Sequence, residues 1–101
     1  MRLLSLYNES QYQNVPEVLA QIEQRIAPHN NAKFHLEIFS DDDEDCEGYA
    51  YQCDDTIYVA LTIDNKVTLA HELVHVIQFA YGLEVSEDQA YSLEQEFAEC
   101  L

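Results

Sequence analysis

The stretch between Asn65 and Gly82 constrains this chain more than any other part of it. Asp64 or Asn65 can cap a helix start, and Gly82 can end it. Between them, Val67, Leu69, Ala70, Leu73, Val74, Val76, Ile77 and Phe79 leave no broad polar face. A helix that is apolar on most sides has to be wrapped by the rest of the molecule. With 101 residues, the chain can bury roughly two-thirds of the surface its unfolded form exposes. That suffices for one core around one central helix, so residues 1–101 read as a single domain.

The wrapping elements are legible at lower contrast. Residues 2–7 read as a short strand. Asn14 can cap a first helix, with Pro16 in its first turn, where a missing N–H costs nothing. Val15, Val18, Leu19, Ile22 and Ile26 recur along it at helical spacing, and Pro28 ends it. Phe34, Leu36 and Ile38 alternate with polar neighbours as in a half-buried strand. Residues 48–52 and 56–63 read as two strands joined by a hairpin at Cys53-Asp54-Asp55. In the second, Ile57, Val59, Leu61 and Ile63 share one face, and Tyr58, Ala60 and Thr62 the other. Ser86 with Gln89 forms a capping-box pattern opening a last helix, whose buried face is Ala90, Leu93, Phe97 and Leu101. The expected fold is α+β: a small mixed or antiparallel sheet packed against an N-terminal helix, the central helix and a C-terminal glutamate-bearing helix.

Charge narrows the partners. Four Lys and Arg stand against twenty Asp and Glu, a formal charge of -16. Phosphate neutralisation needs clustered cations, so direct nucleic-acid binding is excluded, as is attraction to an anionic membrane. No run approaches the ~20 apolar residues of a membrane span. A short N-terminal apolar stretch unlike a signal peptide, and three sparse cysteines, point to a cytoplasmic protein. Cys46 and Cys53 could meet across a hairpin, and Cys100 reads as a small helix-face residue. The acidic run Asp41, Asp42, Asp43, Glu44, Asp45, Cys46, Glu47 should be an exposed loop. It has Cys46 and Gln52 where a calcium-binding EF-hand needs Gly and Glu. Its sharper use would be to hold a basic protein partner or substrate.

The chemistry sits on the central helix, at His71-Glu72-Leu73-Val74-His75. At 3.6 residues per turn, His71 and His75 stand one above the other and can share one zinc ion (Zn2+). Glu72 is offset toward the same cavity, where it can act as general base toward a water. A catalytic zinc needs a third protein ligand and an open position. If the last two helices form an antiparallel hairpin, helix rise puts Glu94 level with His75, some 9 Å from the turn. Glu87 lies on the same face at the helix mouth and is the alternative third ligand. Gln78, one turn after His75, could orient it.

These residues resemble the zincin metallopeptidases, in particular the gluzincins. The spacing from His75 to Glu94 is similar to the thermolysin type, whereas Glu87-Asp88-Gln89-Ala90 resembles the Glu-x-x-Ala signature of other gluzincins, in which the first Glu is the ligand. The resemblance covers residues 56–101 and implies a zinc-dependent peptidase. It also likens the strand at 56–63 to the edge strand that lines the substrate cleft. The sequence holds no counterpart of the downstream His or Tyr that stabilises the oxyanion in thermolysin-like enzymes. A donor would then come from Tyr91, Tyr58, Tyr49, Tyr51 or His35. The rival reading is a non-catalytic acidic protein that mimics nucleic acid or holds a basic partner, with zinc structural or absent.

Overall fold

The computed structural model describes residues 1–42 and 45–101. Its elements run β1 (Arg2–Asn8), α1 (Val15–Ile26), β2 (Lys33–Ser40), β3 (Gly48–Cys53), β4 (Thr56–Leu61), α2 (Lys66–Ala80) and α3 (Glu87–Ala98). The sheet is mixed, in the order β1-β2-β4-β3. The crossover through α1 makes β1 and β2 parallel. β2 also pairs in parallel with β4, and the β3–β4 hairpin adds the antiparallel ladder. Cys53 pairs with Thr56 across a two-residue turn, in which Asp54 takes a φ of 55°. Asp tolerates that left-handed region better than most residues. The fold is therefore α+β, with three helices and a four-stranded sheet among the described residues.

One face of the sheet, carrying Phe34, Leu36, Ile38, Ile57, Val59 and Leu61, meets the helices. Val18, Leu19 and Ile22 of α1 and Leu69, Leu73, Val74 and Ile77 of α2 complete the core with no exposed surface. Each such side chain contributes roughly 1.5–3 kcal/mol on burial. α2 is buried almost all round, as its composition requires. Ile63 departs from the alternation: β4 ends at Leu61, and Ile63 is 44% exposed beyond it. In α3, Ala90 and Phe97 are buried and Leu93 is half-buried, whereas Leu101, half-buried, lies beyond the helix, which ends at Ala98. The outer face of the sheet carries aromatic contacts that run from Tyr7 to Phe39, Tyr58, Tyr51 and Tyr49 and reach all four strands.

The caps differ in detail from expectation. Asn65, not Asp64, caps α2: its Oδ1 accepts from Thr68 N at 2.8 Å. Asp64 turns away and accepts from Gln11 N at 3.0 Å. Gly82 ends α2 with a φ of 63°, and Leu83 N returns to Gln78 O at 2.9 Å. Asn14 stands at the start of α1 but spends its amide on the Cys100 carbonyl. Ser86 caps α3 by accepting from Gln89 N at 3.0 Å.

Glu23, buried on α1, ties the N-terminus into the fold, since it meets the Met1 ammonium at 2.7 Å and accepts from the Tyr81 hydroxyl. Burial pushes its carboxyl up, but these partners together hold it below its ordinary value.

The cysteine pairing is corrected. Cys46 and Cys53 lie before and at the end of the same strand, and no disulfide joins them. The 6 residues of β3 span roughly 20 Å, too far for a bridge. In the acidic run, Asp42, Asp45, Cys46 and Glu47 are exposed. The expected loop at Asp43 and Glu44 lies outside the described residues. Among the described residues, no helix is long and apolar enough to cross a membrane.

Candidate metal centre

The site is built where α2 and α3 pack in antiparallel fashion under the edge strand β3. His71 and His75 lie one turn apart on α2, with ring centroids 4.9 Å apart and the rings edge to face. Both residues are buried, at 9% and 5% exposure. Each ring has one nitrogen held by a partner and the other turned toward the same carboxylate.

For His75 the partner is Gln78. Its Oε1 lies 2.7 Å from His75 Nδ1, and its Nε2 donates to Ser86 O at 3.1 Å and to Gln89 Oε1 at 2.8 Å. A backbone carbonyl only accepts, so the amide nitrogen must face Ser86 and the oxygen must face His75. Nδ1 therefore carries the proton, and in the neutral ring Nε2 keeps a lone pair. That Nε2 lies 2.6 Å from Glu87 Oε1, yet it is buried with no hydrogen bond of acceptable geometry. Two acceptors so close repel unless a positive charge sits between them.

His71 repeats the pattern with a carboxylate behind it. Its Nδ1 meets Glu94 Oε2 at 2.8 Å, and its Nε2 meets Glu87 Oε2 at 3.1 Å. His71, His75 and Glu87 are thus a group whose ligand atoms lie within 4.8 Å of one another. Two imidazoles and a carboxylate make a donor set suited to zinc, and the orphaned Nε2 of His75 is what a cation at this position would satisfy.

Of the two glutamates, it is Glu87 that meets both Nε2 atoms, reaching back from the first turn of α3. Glu94 sits behind His71, on the Nδ1 side. The helix-rise argument put Glu94 level with His75, but the helices pack so that it is level with His71. Glu94 thus stands where a carboxylate could fix the orientation of the His71 ring.

Glu72, 5% exposed, lines the same cleft. Burial pushes its carboxyl up, and His71 and His75 offset this only in part. The cleft measures about 610 Å³ and is bounded by α2, the start of α3 and β3 from Gly48 to Ala50. Thr68, His71, His75 and Phe79 lie along one row of α2 facing it. Their spacing of three to four residues was the available signal for Thr68 and Phe79, which the motif alone does not mark. Gly48 permits the close approach of β3 to α2. A Cβ there would lie 3.0 Å from Ala60 O and 3.2 Å from Thr68 Cγ2.

The edge strand is corrected. β4 pairs on both sides, with β2 and with β3, so β3 is the strand that borders the cleft. Of the tyrosines considered as oxyanion donors, Tyr91 is at the site: its ring packs edge-on to His71 at 4.7 Å and is 62% exposed. Tyr58 and Tyr51 stack on the outer face of the sheet, 4.9 Å apart, with the sheet between them and the histidines. His35 is also on that outer face, bonded to Ser5 at 2.6 Å. Tyr49 is at the cleft rim, but its hydroxyl donates to Asp41 Oδ2 at 2.6 Å. No known family model, curated protein or solved structure matches the chain.

Proposed function

We propose that the chain is a small zincin-like peptidase, with zinc held by His71, His75 and Glu87 and Glu72 as the general base. The observation that carries this reading is the convergence of both Nε2 atoms on Glu87 while Gln78 and Glu94 hold the opposite nitrogens. Bound zinc supplies Lewis acidity toward a carbonyl and a water. The protein residues do the rest. Glu72 removes the proton of the attacking water. The same carboxyl can then pass that proton to the leaving amine. Tyr91 stands where a hydroxyl could donate to the developing oxyanion. β3 has one edge committed to β4 and the other toward the cleft, where an extended peptide can add as a further strand.

Metal analysis and a peptidase assay on four proteins test this. The parent should hold one zinc per chain and cleave an unstructured peptide. Glu87→Ala should lose the metal, Glu94→Gln should keep it about 10–100-fold more weakly, and Glu72→Gln should keep it fully while losing hydrolysis. A parent that takes up no metal, and whose thermal stability is the same in chelator and in zinc, would refute the proposal.

A further inference from the structure

The charge of the cleft bears on the substrate that the proposed peptidase would take. Among the described residues, four carboxylates line it, from Glu47, Glu72, Glu87 and Glu94, and no Lys or Arg does. Three of them have work inside the site: Glu87 meets both histidines, Glu94 backs His71, and Glu72 is buried beside them. The buried Nε2 of His75, without a hydrogen bond, faces into this same cleft. Glu47 is the fourth, exposed on the rim.

Its position is fixed by the backbone rather than by its side chain. Thr62 N and Ile63 N both donate to Glu47 O, at 2.9 and 3.1 Å, and the Thr62 hydroxyl donates to Cys46 O. The carboxylate therefore projects from an anchored point. Past Glu47 the cleft continues into a second recess that shares Cys46 and Glu47 with it and is walled by Asp41, Asp42 and Asp45. Among the described residues, no cation lines that recess either. In the main cleft Val67, Phe79 and Val85 add apolar wall beside the three inner carboxylates. A chain lying along β3 that crosses Glu47 thus passes from carboxylates engaged with the histidines to carboxylates exposed at the rim, at Glu47 and Asp42.

We infer that the site selects polypeptides carrying Lys or Arg in the segment that crosses the rim, and that Glu47 is the residue that reads it. This rests on the peptidase reading for the identity of the cleft. A flexible ammonium or guanidinium can reach Glu47 and be shared with the aspartates beyond, whereas an acidic segment meets like charge throughout.

The test separates Glu47 from the charge of the whole molecule. Glu72→Gln protein, with and without one equivalent of zinc, is titrated calorimetrically with three unstructured peptides of one neutral scaffold bearing paired Lys, Gln or Glu. The Lys peptide should bind roughly three- to tenfold more tightly than the Gln peptide, and the Glu peptide more weakly still. Adding Glu47→Gln should shrink the preference to within about twofold. Adding Glu17→Gln, an equal charge change at an exposed position on α1, should leave it intact. Equal binding of all three peptides, no binding of any, or a preference that both variants reduce alike would overturn the inference. Hydrolysis of the neutral peptide by the parent is scored separately. Cleavage without charge preference overturns the selectivity alone, and selective binding without cleavage overturns the peptidase reading alone.

Discussion

Gln78→Leu is the sharpest probe of how the site is held. Gln78 has no exposed surface, and its amide serves four groups: His75 Nδ1, Ser86 N, Ser86 O and Gln89 Oε1. Leucine conserves the volume and so isolates the polar loss from any cavity. Ser86 and Gln89 are half-buried and can turn to water, but His75 is 5% exposed and cannot. One orphaned buried donor costs about 1–3 kcal/mol. For a domain near 100 residues this lowers the melting temperature of the metal-free protein by roughly 5–20 °C. The His75 ring also loses its orienting partner, which should weaken zinc binding about 10–100-fold, or roughly 1.4–2.7 kcal/mol. Competition titration against a chromogenic chelator measures the affinity, and thermal unfolding without metal measures the stability. Gln78→Glu serves as the control. It keeps an acceptor toward His75 but sets a carboxylate against Ser86 O, so it should lose stability while keeping most of the affinity. A Gln78→Leu protein that binds zinc within twofold of the parent would refute the orienting role.

Two further predictions concern the base and the edge strand. Because burial raises the Glu72 carboxyl above its ordinary 4.5, the metal-free parent should lose stability relative to Glu72→Gln as pH rises from about 4.5 through the raised folded-state value, where the buried group must ionise; urea unfolding of both proteins in steps from about pH 4.5 to 8 checks this, and a difference flat with pH would contradict it. Gly48→Ala places a methyl against Ala60 O and Thr68 Cγ2, which should push β3 off α2, cost about 1–3 kcal/mol in denaturant unfolding and lower kcat/KM without removing the metal.

What could be read from the sequence follows the range of the interactions involved. α2 was legible in both limits because Asn65, the apolar run and Gly82 are local signals, and Ser86 marked the start of α3 for the same reason. The histidine pair was legible because helical geometry alone puts His71 above His75. The identity of the edge strand was not, because the parallel β2–β4 pairing joins segments far apart in sequence and no local pattern announces it. The choice between Glu87 and Glu94 could not be made from the sequence, for a related reason. Helix rise fixes the level of a Cα, whereas which nitrogen a carboxylate meets depends on the lateral packing of two helices and on side-chain reach. Gln78 was marked by its place one turn after His75, but its bonds to Ser86 and Gln89 depend on how α3 closes over it. Glu47 had no distinguishing mark within a run of similar acids.

The place of β3 as the outermost strand of the described sheet has a consequence for the protein in company. An unpaired strand edge is a template for any other strand, including the same strand of a second copy. Two such molecules approaching edge to edge each carry a formal charge of -16, with Asp42, Asp45 and Glu47 exposed just before the strand. Their repulsion acts over about 10 Å at 0.1 M salt and only about 3 Å at 1 M. Any pairing of two copies along β3 should therefore respond to ionic strength: dilute buffer holds the copies apart, and concentrated salt lowers the barrier between each copy and its twin.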